Sequence, residues 1–165
     1  MKKYLSVIPL VFLLCYMVGC QKAEKMDREP AVDLEAEIAN VKAVLNRAVS
    51  AYNSLDAESY LENYCQDNDM VLFGDISRIV GFEAFKEGVP KSFEQYDSAE
   101  VSYRDEVIKM HASGEVSWLS CYLDLKSVSQ GEEHIVKGTS ATYVLEKRNG
   151  KWLIVHAHWS VPKAE

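Results

Sequence analysis

Clustered positive charge is missing from this chain of 165 residues, in which 18 Lys and Arg stand against 25 Asp and Glu. Binding a phosphate backbone calls for a basic stripe, so the composition argues against nucleic acid as a partner. Cysteine is sparse as well. Of the four, Cys15 and Cys20 fall in the first twenty positions, which leaves Cys65 and Cys121 for the rest of the chain. Their spacing matches no disulfide framework, and without a neighbouring His they make no zinc motif. Pairing and burial as free thiols both stay open, free buried Cys being common. Beyond the first 33 residues there is no repeat and no low-complexity tract, so the remainder is one domain's worth of chain.

What is present begins with Lys2 and Lys3, an apolar run from Leu5 to Val18, and Met17-Val18-Gly19-Cys20. The run is shorter than the roughly 20 residues that span a bilayer, and a Cys sits where a signal peptidase cuts. The pattern resembles the bacterial lipobox, which implies a signal peptide over residues 1–19 and a diacylglycerol on Cys20. Several acyl chains on one Cys hold a protein to a membrane far better than one chain does. Gln21 after the Cys, by resemblance to Gram-negative lipoproteins, favours the outer membrane of the cell envelope, with the leaflet left open. Removing the signal takes two lysines and no acid, so the 18 basic side chains fall to 16 against 25 acidic, a formal charge of −9. Residues 20–33 are charged, poor in large apolar side chains and broken by Pro30, as expected of a tether.

From Leu34 the pattern becomes periodic. Leu34, Ile38, Val41, Leu45, Ala48, Val49 and Tyr52 recur at helical spacing and predict a helix to about Asn53, with Asp33 as its N-cap. Asp56 can cap a shorter helix carrying Tyr60, Leu61 and Tyr64. Met70–Phe73 reads as a buried strand, and Phe82–Tyr96 as a third helix. Four long strands come next, Ala99–His111, Glu115–Val128, His134–Lys147 and Lys151–Val161, separated by Ser113-Gly114, Gln130-Gly131 and Asn149-Gly150. Helices first and an antiparallel meander afterwards describe an α+β domain, its N-terminal helices packed on a strongly curved, mainly antiparallel sheet.

That element order resembles the SnoaL-like branch of the nuclear transport factor 2-like superfamily, which also includes ketosteroid isomerase. Asp56-Ala57-Glu58-Ser59-Tyr60-Leu61, Val71-Leu72-Phe73, Gly81-Phe82-Glu83-Ala84-Phe85 and the closing Gly150-Lys151-Trp152…His156-Ala157-His158-Trp159-Ser160 carry the likeness. It implies a cone-like domain over residues 34–165, a pocket roofed by helices, and an outer sheet face that pairs two copies as a homodimer. Members include isomerases, dehydratases and cyclases as well as modules that only bind or assemble, so fold alone does not fix function.

Strand alternation selects the site candidates. On the last strand Trp152, Ile154, His156, His158 and Ser160 share one face, and Leu153, Val155, Ala157 and Trp159 the other. A three-residue loop at Arg148-Asn149-Gly150 sets Ser140 against His158 and Thr142 against His156. A two-residue Asn-Gly loop sets Ala141 and Tyr143 there instead. The first is favoured because it gathers the family's motif positions, which makes His158 the candidate acid or base. The expected pocket lining is Tyr52, Tyr60, Tyr64, Phe73, Trp118, Tyr122, Thr142, His156 and His158, with Asp75 and Asp124 as possible carboxylates. Two His at alternate positions make too few ligands for a metal, and no cofactor is expected. Three functions fit: binding of a small, largely apolar or cyclic molecule, acid–base catalysis of the isomerase, dehydratase or cyclase kind, and homo-oligomeric assembly. Binding is the favoured reading.

Overall fold

Asp33 opens the ordered part of the chain by accepting a hydrogen bond from the Ala36 N–H at 3.1 Å, which closes the first turn of helix α1, Leu34–Asn53. This is a computed structural model, and it describes residues 32–74 and 77–163. Cys20, the signal peptide, the tether up to residue 31 and Asp75 lie outside the described residues. The buried stripe of α1 is Val41, Val44, Leu45, Ala48 and Ala51. Leu34 stays exposed and Ile38 half-buried, so the stripe takes effect a turn later than its periodicity suggests. Asp56 caps α2, Ala57–Leu61, by accepting from Ser59 N–H at 3.0 Å.

Strand β1, Val71–Phe73, is followed by β2, Arg78–Val80, a strand too short to show alternation in the sequence. Gly81, held at φ 84°, then leads into α3, Phe82–Phe93, which stops three residues short of the expected Tyr96. It buries Phe82, Phe85, Val89 and Phe93 on one face. The long strands are β3, Ser98–Met110, β4, Val116–Ser129, β5, Glu132–Arg148, and β6, Lys151–Ser160. They complete a six-stranded mixed sheet in the order β2-β1-β6-β5-β4-β3. All neighbours are antiparallel except β1 and β6, which run parallel. The helices pack on one face of this sheet, and the core lies between the two layers.

Register decides which side chains face the helices. Asn149 and Gly150, at φ 51° and 79°, form a two-residue turn with Arg148 opposite Lys151. Positive φ at both central residues suits the right-handed twist of the strands, and Asn-Gly accepts it readily. The favoured three-residue loop is therefore corrected, and so is the register drawn from it. Leu145 pairs with Ile154 but Val144 with His156, so Val155 is an extra residue in β6. Past this bulge Thr142 lies opposite His158 and Ser140 opposite Ser160. A second bulge sits at Gly138 in β5 and a third between Arg104 and Val107 in β3, where Asp105 has φ 55°. Such insertions raise local twist and bend strands, which suits a sheet curved over a cavity.

Polar clasps fix the helices over the sheet. Glu37 on α1 accepts from Lys147 Nζ and from Trp152 Nε1, both at 2.6 Å, tying the helix to the β5–β6 hairpin. At the other end Asn53 pairs with the Val101 backbone through its Nδ2, 3.0 Å, and its Oδ1, 2.6 Å. Cys65 and Cys121 are both free and buried, so no disulfide joins them. Burial pushes the Cys121 thiol up to about 11, leaving it unreactive.

Candidate functional site

Between the helices and the sheet lies a cavity of about 410 Å³, walled by α1, α2 and α3 on one side and by β3 to β6 on the other. Its helix wall carries Leu45, Ala48, Tyr52, Tyr60, Phe85 and Phe93, and its sheet wall Leu123, Leu125, Val136, Thr139, Tyr143 and Trp159. Helical spacing explains part of this. Ala48 and Tyr52 share a face of α1, and the small side chain of Ala48 leaves room where a Leu would fill it.

The aromatic rings interlock. Tyr52 meets Phe93 edge-on at 5.1 Å between centroids and Tyr60 at 5.8 Å, while Tyr64 lies 4.7 Å from Phe85. Two polar contacts run through this apolar wall. The Tyr60 and Tyr64 hydroxyls are 2.8 Å apart, and Trp159 Nε1 donates to the Tyr143 hydroxyl at 3.0 Å. Burial raises the phenol pKa of Tyr52, Tyr60, Tyr64 and Tyr143, so all four stay neutral. Among the described residues lining the cavity there is no carboxylate, imidazole, thiol or ammonium group.

The nine expected lining residues divide between the two faces of the sheet. Tyr52, Tyr60 and Tyr64 line the cavity. Phe73, Trp118, Tyr122, Thr142, His156 and His158 do not. Ser120, Thr142, His158 and Phe73 form one row across β4, β5, β6 and β1, and Trp118, Val144, His156 and Val71 form the next. Both rows lie on the face turned away from the helices. There Phe73, Trp118 and Tyr122 are 40%, 47% and 43% exposed, and the Phe73 ring sits about 6 Å from both imidazoles. His158 is exposed, contrary to its expected place inside the cavity. The Val155 bulge is the reason. Strict alternation carries His156 and His158 inward with Trp152 and Ile154, but one inserted residue exchanges the faces and turns Ala157 and Trp159 inward.

Asp124 is likewise structural in its surroundings. It accepts the Gly138 N–H at 2.7 Å across the β5 bulge and pairs with Arg104, whose guanidinium covers the Tyr122 ring at 4.8 Å. These contacts hold its carboxyl below the usual range, the Gly138 hydrogen bond foremost. Among the described residues, no three His, Cys, Asp or Glu side chains converge as a metal site. Sequence reasoning missed Tyr143 and Trp159. The Asn149-Gly150 dipeptide was the available signal for Tyr143, because its two-residue turn pairs Leu145 with the buried Ile154 and so turns Tyr143 to the same side; no local signal marked Trp159.

A helix-roofed cavity over a bent mixed sheet defines the nuclear transport factor 2-like architecture. The sequence pattern of the SnoaL-like domain matches residues 41–164, and the chain belongs to that family. Solved structures agree on the fold. A nuclear transport factor 2-like superfamily protein from Salmonella enterica superposes with a TM-score of 0.72 at 14% identity, covering 79% of this chain and 94% of that one. A proposed dehydratase of the same superfamily from Streptomyces avermitilis gives 0.71 at 12% identity, with 79% and 99% covered. A proposed scytalone dehydratase from Novosphingobium aromaticivorans gives 0.71 at 10% identity, with 78% and 86% covered. No curated protein matches the chain.

Proposed function

We propose that this chain is an envelope lipoprotein whose SnoaL-like domain binds a small, largely apolar, ring-containing molecule in the cavity under α1 to α3. One observation carries the reading: a cavity of about 410 Å³ walled by aromatic and aliphatic side chains, with a few hydroxyls as its polar points. Its size and lining are those of a small-molecule site. Acid–base catalysis gains less support, because proton transfer needs a group that titrates near the working pH, and the described lining offers only phenols held neutral by burial. The dehydratase names of two structural relatives keep that chemistry in view for the superfamily.

The anchor rests on Met17-Val18-Gly19-Cys20, and no helix among the described residues is long and apolar enough to cross a membrane. Homodimerisation rests on the outer sheet face, where exposed Phe73, Trp118 and Tyr122 make an aromatic patch of the kind monomers rarely leave bare. Native mass spectrometry of protein purified from the cells that make it tests the binding reading. The wild type releases a small organic molecule on denaturation. Ser92→Trp, which sets an indole at the cavity rim, releases little or none. Equal release from both proteins, or none from the wild type, refutes the reading.

A further inference from the structure

A second hollow lies on the opposite flank of α1. It holds about 660 Å³, shares no lining residue with the helix–sheet cavity, and is walled by α1, by α2 with its flanking residues, and by the start of β6. Asn40, Ala43, Arg47, Ser50 and Ser54 recur every three or four residues along its α1 side, a row of about 20 Å at roughly 1.5 Å per residue. Asn63 on the α2 side is 3% exposed. Both protons of its amide are engaged, by Ser59 O at 2.8 Å and Tyr60 O at 3.2 Å, which fixes the remaining atom as the oxygen. That Oδ1 accepts no hydrogen bond among the described residues. No fully enclosed side-chain nitrogen or oxygen among them lacks a partner, so Oδ1 opens on the groove. An acceptor in this position favours a guest that brings an N–H.

Charge divides the groove. Arg47 on α1 and Lys151 on β6 face Asp56 and Glu62 on the α2 side. Among the described residues Arg47, Glu62 and Lys151, all exposed, form no ion pair. The Trp152 hydrogen bond to Glu37 sets Lys151 beside the first turns of α1. Asp56 follows the other end of α1, where the last turn has no basic side chain and the helix carbonyls leave partial negative charge. A guest of one sign would leave the opposite charges unmatched. An extended chain with N–H groups along it and opposite charges at its ends matches them all. We propose that this groove binds a short extended peptide with free termini, its carboxylate held by Lys151 and Arg47, its ammonium by Asp56 and Glu62, and a backbone N–H by Asn63 Oδ1. The site is separate from the helix–sheet cavity and does not depend on what binds there.

Tetra-alanine spans about 13 Å when extended and fits the row. Three forms of it separate the contributions: free at both ends, amidated at the C-terminus, and acetylated at the N-terminus. Each is titrated calorimetrically at low ionic strength into the full chain in a neutral detergent. The wild type binds the free peptide about tenfold or more tighter than either blocked form, the scale of one charge-assisted contact. Arg47→Gln and Lys151→Gln, made together, bring the free peptide and its amide within about threefold of each other. Both side chains are exposed and form no ion pair among the described residues, so this variant keeps the fold. Ser50→Trp, which sets an indole in the groove from the exposed side of α1, abolishes binding of all three. No binding of the free peptide, equal binding of free and blocked forms by the wild type, an undiminished preference in the double variant, or unchanged binding by Ser50→Trp overturns the proposal.

Discussion

Trp159 and Tyr143 report on the fold's most consequential detail, because they touch only if the Val155 bulge turns the end of β6 inward. The perturbation is a double-mutant cycle of Tyr143→Phe and Trp159→Phe. Tyr143→Phe keeps the ring and removes the acceptor, leaving a partly buried indole N–H unsatisfied at a cost of about 1–3 kcal/mol. Trp159→Phe removes that donor and some apolar area, for about 1–2 kcal/mol. In the double variant no orphaned N–H remains, so the combined loss falls short of the sum by roughly 1–2 kcal/mol. Urea unfolding with a shared m-value resolves a difference of that size. Costs that add to within about 0.5 kcal/mol would show that the two side chains are not partners. Trp159 then faces outward, His158 inward, and the assignment of faces fails.

Glu37 supplies a pH signature. The Lys147 hydrogen bond, with Trp152 second, holds its carboxyl below the ordinary carboxylate range. A depressed folded pKa contributes stability above the unfolded value and loses it as pH falls through the folded one. The stability gap between wild type and Glu37→Gln is therefore widest near neutral pH and narrows in acid; a gap that stays constant down to about pH 3 contradicts the clasp. Leu72, fully buried in the middle of the parallel pairing with β6, costs about 2–5 kcal/mol on replacement by Ala, measured by denaturant unfolding. His158→Gln leaves the affinity of a cavity probe within about twofold, and a tenfold loss places the imidazole inside after all. Fatty-acid labelling and membrane fractionation test the anchor: wild type labels and pellets with membranes, whereas Cys20→Ala does not label.

The helices were legible because their signals are local. Asp33 and Asp56 cap as their residue type and position suggest, and α1 spans the expected residues. The α+β class could also be read, as could Tyr52 and Tyr60, since helical spacing fixes which side chains share a face; Tyr64, expected on the same short helix, lies past its end at Leu61 and is placed instead by a bridge to Ile154. Strand faces were less legible because alternation has no tolerance for an inserted residue. One extra residue at Val155 exchanged His158 for Trp159, and nothing in Trp152–Ser160 marks that position, since Val is at home in any strand. Gly138 could have signalled the β5 bulge, where it takes φ 75°. Strand β2 went unseen because three residues are too few to establish a period.

The central claim is that the space between the helices and the sheet, and not the outer sheet face, holds the ligand. A crystal structure of the protein purified from the cells that make it tests this most directly. The account predicts density for a ring-containing molecule between Tyr60 and Tyr143. Density against Phe73 and His158 on the outer face, or a cavity closed by its own side chains, contradicts it.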